Sequence, residues 1–195
     1  MFSLQTDLNP LSTDPDYANQ LCKTVAWHTF TAKLTASGVP EFSFIQYAGR
    51  WLRIGLETAP WEIYHIKDVD LEPEYNEDEE YVERARLKAV ERHDIRILNI
   101  RVPELAPWIQ FVGRQIYEME GEILYENLKA TTWTGPKGWS NARFVYWRER
   151  FEWISKVTAL DRETRRLARD SVVIMQKIER GDNTATRPRS RGNFI

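Results

Sequence analysis

Past Ser140 the chain repeats large apolar side chains at helical spacing: Phe144, Trp147, Phe151 and Ile154 fall three, four and three residues apart. Only a helix gathers such positions on one face. A stripe of that volume needs other apolar faces to cover it. The stretch from Trp133 to Val157 holds four of the eight tryptophans, a density that points to a packed core with amphipathic edges. It constrains the fold strongly and the chemistry weakly.

The remaining chain reads as helices that supply the cover. Thr13 or Asp14 can cap a first helix, with Pro15 in its first turn. Ala18, Leu21, Val25 and Leu34, with Trp27 and Phe30 on the flanks, are its expected inward positions. Gly38 and Pro40 stop it. A second helix is expected over about 41–57, with Phe44, Ile45, Ala48, Leu52 and Leu56 inward and Pro60 as its stop. Residues 68–80 carry eight acidic and no basic side chains, and read as an exposed loop entering the acidic first turn of a helix over about 77–93. The apolar run at 95–102, IRILNIRV, reads as an extended connection, after which Pro103 opens a helix with Ala106, Ile109, Phe111, Val112, Ile116 and Tyr117 inward and Gly121 as stop. A short helix is expected near 123–128. The loop W-x-G-P-x-G-W (133–139) has strong turn chemistry. Ser140 caps the aromatic helix to about Val157. Thr158 is expected to cap the last one, with Leu160, Leu167, Val172, Ile174, Met175 and Ile178 inward and Gly181 as its end.

The expectation is an all-α single domain of six to eight helices: a polar lead-in over 1–13, a helical domain over 14–181 and a disordered basic tail over 182–195. A chain of 195 residues is long enough for one substantial core. Formal net charge is −2, but residues 1–100 carry 10 Lys and Arg against 17 Asp and Glu, and residues 101–195 carry 17 against 12. That split can steer a partner and is too weak to indicate nucleic acid. One cysteine, Cys22, excludes an internal disulfide and a thiolate zinc cluster. With no basic leader and no long apolar run, a soluble intracellular protein of cytoplasm or nucleus is expected.

Several phrases resemble a known family: AWHTFTAKLTASGV (26–39), APWIQFVGRQIYE (106–118), the Trp/Pro/Gly loop and RFVYWRERFEWIS (143–155). They are similar to fungal proteins of unknown function in which an Ala-x-Trp-Ile-x-x-x-Gly helix precedes such a loop and a Trp-Arg-x-x-Phe helix. Ala106, Trp108, Ile109 and Gly113, then Trp147, Arg148 and Phe151, then Met175 stand at those places. The resemblance spans roughly residues 20–180. It implies a predominantly helical fungal protein and brings no catalytic residue with it.

Few residues suggest chemistry. The acidic run could hold a divalent cation, but it lacks the DDxxD helix spacing and the EF-hand pattern, so a solvated helix cap is expected. His28, His65 and His93 form no close metal pair, and His28 reads as a satisfied, partly buried imidazole. Cys22 reads as a small buried hydrophobe rather than a nucleophile. Glu118 and Glu122 share a helix face and are expected in solvent. No catalytic residue, metal or cofactor is assigned. In the aromatic block, Arg143, Arg148 and Arg150 could grip phosphates or carboxylates while aromatic rings stack on a ligand. The inward stripe, with Arg148 paired to Glu152, accounts for most of these residues and leaves Tyr146, Arg150 and Trp153 as the candidate binding surface. The arginines of the tail, Arg187, Arg189 and Arg191, read as a solubilising arm. The expected role is a non-enzymatic interaction or scaffold module with a protein partner rather than nucleic acid; the alternative is an enzyme or small-molecule binder with an aromatic-lined pocket between helices.

Overall fold

A computed structural model describes residues 16–57, 95–123 and 132–182. Among them are five α-helices and no strand: α1 Tyr17–Ala36, α2 Ile45–Leu56, α3 Leu98–Glu118, α4 Asn141–Ile154 and α5 Arg162–Glu179. The all-α expectation holds, with slightly fewer helices than six to eight. The expected helices at 77–93 and near 123–128, the acidic run, His65, His93, the lead-in and the arginine tail lie outside the described residues.

The central element is α3, against which α1, α2 and α5 pack, while α4 lies on α5. Its buried stripe is Leu98, Val102, Leu105, Ile109, Val112 and Ile116, alternating steps of four and three. The run at 95–102 is therefore not a connection: residues 95–96 are already helical and α3 begins at Leu98. Pro103 and Pro107 lie inside the helix rather than opening it. Each removes one backbone donor, normally a cost of about 3 kcal/mol, and burial of the stripe on both sides of them offsets the loss. Asn99, near the start of α3, accepts the Asp161 N–H at 3.0 Å and ties α3 to the head of α5. That junction makes Asp161, not Thr158, the residue that precedes α5.

The inward face of α1 also differs from expectation. Thr24, His28, Thr31, Ala32 and Thr35 are buried, whereas Ala18 and Phe30 are exposed and Leu21, Val25 and Leu34 only half-buried. The three threonines bond back to carbonyls of their own helix at 2.9–3.0 Å, which leaves their methyl groups to pack as small apolar surfaces. Thr35 Oγ1 also accepts the Phe44 N–H at 3.0 Å, fastening the turn into α2. That turn contains Gly38 at φ +74° and a 3-10 turn, Pro40–Phe42, so α2 starts at Ile45 rather than near residue 41. Ala48, Leu52 and Leu56 are buried as expected.

At α4 the reading from spacing holds closely. Ser140 Oγ accepts the Arg143 N–H at 3.2 Å, and Phe144, Trp147, Phe151 and Ile154 are all buried. Arg148 faces Glu152 at 3.8 Å and bonds Glu179 of α5 at 2.7 Å. Gly181 ends α5 at φ +76°, with Gly181 N–H bonded to Ile178 and Asp182 N–H to Lys177, the paired terminator of a glycine-stopped helix.

The Trp139 N–H donates to the Gly121 carbonyl at 2.8 Å, docking the loop before α4 beside the end of α3. The Trp139 ring then lies over Gly49 of α2, where a Cβ would stand 2.4 Å from its Cη2. That ring is buried and set edge-on against Trp147, so making room for a methyl group disturbs packed neighbours. Gly49→Ala is expected to lose about 1–3 kcal/mol of stability, read as a lower urea midpoint with unchanged slope; an unchanged midpoint would show that the loop gives way freely.

Candidate functional site

The densest polar chemistry lies where α2 ends. Glu57 follows the last residue of α2 and is 0 % exposed. A carboxylate at a helix C-terminus faces the negative end of the dipole, so its charge must be met by other groups. Arg143 of α4 supplies a two-pronged contact: Nε donates to Oε1 at 2.8 Å and Nη2 to Oε2 at 2.9 Å. Trp147, one turn on, donates its indole N–H to Oε1 at 2.7 Å. Arg53, one turn back in α2, stands 3.5 Å from Oε2. Such charge-assisted bonds are strong in a dry interior.

The carbonyls of the same helix end accept hydrogen bonds at the site. Leu56 O accepts from Arg150 Nε at 2.9 Å. Glu57 O accepts from Thr132 twice, from N at 2.7 Å and Oγ1 at 3.0 Å. Arg143, Trp147 and Arg150, spaced four and three on α4, thus close the end of α2 with side chains instead of water. The loop is drawn in as well: Arg143 Nη1 donates to Gly138 O at 2.8 Å, and Trp133 donates to Pro136 O at 2.9 Å. The Arg143 guanidinium lies 5.7 Å from the Trp133 ring centre and 6.0 Å from that of Trp147.

These contacts take up one member of the expected binding surface. Arg150 is 3 % exposed, with its guanidinium 5.7 Å from the Trp153 ring. Burial lowers it to about 10, still cationic at neutral pH. It sits on the shoulder of the inward stripe, a position the spacing of the apolar residues places outside the core. Tyr146 and Trp153 are half-buried. Tyr146 shares a hydroxyl hydrogen bond with Thr132 and leans on Trp133 at 5.3 Å. Burial pushes its phenol above the ordinary range, against the pull of the Thr132 bond. Spacing offered Arg143 as a grip for a ligand's phosphate or carboxylate, or as one of the surface charges beside the stripe; it is instead buried against the protein's own Glu57.

A second cluster surrounds His28, which is buried as an imidazole with its bond satisfied. Trp108 of α3 donates its indole N–H to His28 Nδ1 at 2.9 Å. An indole only donates, so the neutral ring carries its proton on Nε2. Trp27 and Trp51 stand edge-on at 4.9 and 5.1 Å. Burial, helped by the positive charge of Arg101, lowers His28 from 6.5 to about 4. Arg101 itself lies 5.6 Å from the Trp51 ring centre and bonds Glu104 at 3.1 Å. Burial raises the Glu104 carboxyl, with Arg101 opposing.

Cys22 is exposed, contrary to expectation, because the inward side of α1 turns two residues later at Thr24. Glu118 and Glu122 are exposed as expected. Among the described residues no group of three His, Cys, Asp or Glu side chains could hold a metal ion, and no helix is long and apolar enough to cross a membrane.

Residues 6–151 match the model of a family described as Protein of unknown function (DUF3632). No curated protein and no solved structure matches the chain.

Two measurements test these clusters. Glu57→Gln leaves Arg143 and Trp147 facing a neutral amide, and removing one member of a buried pair costs about 3–5 kcal/mol; urea unfolding checks this. For His28 the folded pKa lies below the unfolded one, so the neutral ring stabilises the fold above pH 6.5 and that contribution is lost as pH falls toward 4. The loss at pH 4 is about 3 kcal/mol, at about 1.4 kcal/mol per unit. Glu104 acts in the opposite sense, since protonating a carboxyl whose pKa burial raises favours the fold. His28→Asn keeps an acceptor for Trp108, so the difference between its stability profile and that of the native chain isolates His28. Parallel profiles from pH 7 to pH 4 would refute the assignment.

Proposed function

Because the chain belongs to the DUF3632 family, which brings no activity with it, its role is read from its own side chains, and we propose that it is a non-enzymatic interaction module of the interior of a fungal cell. One observation carries the reading. Four of the five large apolar side chains that remain exposed among the described residues, Phe30, Val39, Phe42 and Tyr47, fall in one stretch of the chain, the α1–α2 corner that runs from the C-terminal half of α1 through the turn into α2. Exposed apolar side chains gathered in one place mark contact surfaces far more often than scattered ones do. The groups with chemical potential point the same way: Glu57, Arg143, Trp147 and His28 are occupied with one another or with Trp108 inside the core. Tyr146 and Trp153, half-buried above Arg150, offer a lesser edge to a partner. The intracellular setting rests on the single cysteine, and the fungal one on the sequence resemblance.

Phe30→Glu combined with Phe42→Glu changes only exposed positions, so stability is expected to move by less than about 1 kcal/mol. Proteins retained by the immobilised native chain from cell extract, identified by mass spectrometry, are expected to fall about tenfold with the double variant. An identical set in identical amounts would overturn the reading, as would turnover of a small molecule by the purified chain.

A further inference from the structure

The outer face of α5 is a second exposed surface among the described residues. Arg162, Arg166, Arg169, Val173, Lys177 and Arg180 are all exposed. Their steps of four, three, four, four and three place them on one side of the helix. The inward side is formed by Ala168, Ser171, Val172, Met175 and Ile178, so the helix has one face in the core and one in solvent. Arg162, Arg169, Lys177 and Arg180 make no side-chain hydrogen bond or ion pair among the described residues. Arg166 is the exception, held by Glu163 at 2.6 and 2.9 Å and by Asp170 at 2.7 Å. Val173, 46 % exposed, lies in the middle of the row. Among the described residues it is the one exposed large hydrophobic side chain outside the α1–α2 corner.

We propose that this face of α5 is a docking surface for an acidic amphipathic helix of a partner protein, with an apolar side chain of that helix set on Val173. The row runs almost parallel to the helix axis for about 27 Å, which suits a rod-shaped partner lying alongside. Four cations without internal partners call for carboxylates opposite them. Flanking charge at the edges with an apolar contact between is the arrangement by which paired helices fix partner and register. A phosphate backbone fits less well. Glu163 and Asp170 interrupt the face with negative charge, Arg166 is already held by both, no aromatic side chain stands on the helix for a base to stack on, and Val173 offers nothing to a phosphate. The face lies beyond residues 6–151, so it borrows nothing from the family match.

The proposal rests on the interaction-module reading and can fail separately from it. The probe is a synthetic peptide helix as long as α5, with glutamates on one face around a central leucine, added to the full chain and followed by fluorescence anisotropy. A second peptide of the same composition has its glutamates spread around the helix. Binding of the first is expected to exceed that of the second about tenfold and to weaken with added salt. Arg169→Glu and Val173→Asp are each expected to weaken it about tenfold with an unchanged circular dichroism spectrum. Equal binding of both peptides, binding unaffected by either substitution, or no binding at low salt would overturn the proposal. Displacement of the peptide by double-stranded DNA at lower concentration than the peptide's own would also overturn it and assign the face to nucleic acid. If these fail while the α1–α2 corner still governs retention of cell proteins, the module reading stands without α5. If the peptide binds as expected and the corner substitutions change nothing, the docking face stands and the corner is wrong.

Discussion

The carboxylate of Glu57 is the point on which the upper part of the molecule turns. Buried at the unfavourable end of a helix dipole, it would be intolerable alone, since desolvating a lone carboxylate costs many kcal/mol. Its presence obliges α4 to bring a guanidinium and an indole N–H to it in fixed geometry. That geometry sets the rotation of α4, and with it which aromatic side chains enter the core. The loop before α4 is placed by the same contact, through the Arg143 bond to Gly138 and the Thr132 bonds to Glu57.

An ion pair of this kind adds less to stability than its short distances suggest, because most of the attraction repays desolvation. Its effect is on which arrangement is allowed. An aromatic-rich helix could rotate by part of a turn and still bury a stripe of rings; with Arg143 and Arg150 on its shoulder it cannot, because any rotation strands a buried cation. His28 acts similarly at the other end, fixing α1 against α3 through one bond to Trp108 while Thr24, Thr31 and Thr35 satisfy themselves. Polar groups therefore specify the packing, and the apolar ones drive it. With those groups consumed in the interior, the surfaces proposed for a partner are the exposed apolar stretch at α1–α2 and the cationic row on α5.

Much of the fold was legible in the sequence where one signal dominated. The stripe of α4, the Ser140 cap, the Gly38 and Gly181 stops and the inward positions of α2 follow from spacing and from glycine's tolerance of positive φ. Legibility failed where two signals competed. The run at 95–102 mixes alternation with helical spacing, and Pro103 looks like a helix start; only burial against α1, α2 and α5 shows that the stripe begins before it. On α1, the apolar side chains suggested one face, but Thr24, Thr31 and Thr35 went inward because their hydroxyls bond to their own helix. For the candidate surface, Tyr146 and Trp153 lie off the inward stripe and are half-buried. Arg150 is buried, because a charged shoulder position reads as surface unless its acceptor, here a carbonyl 94 residues away, is known.

The sequence alone determined the class of this protein, all-helical with an aromatic core, because apolar periodicity and turn residues are local properties of the chain. The tertiary structure decided which charges are buried and which face outward. The partners of Arg143, Arg150 and His28 stand 80 to 94 residues away. Nothing in the local pattern of a helix distinguishes an arginine aimed at water from one aimed at a distant carboxylate; only the packing that excludes water between them does.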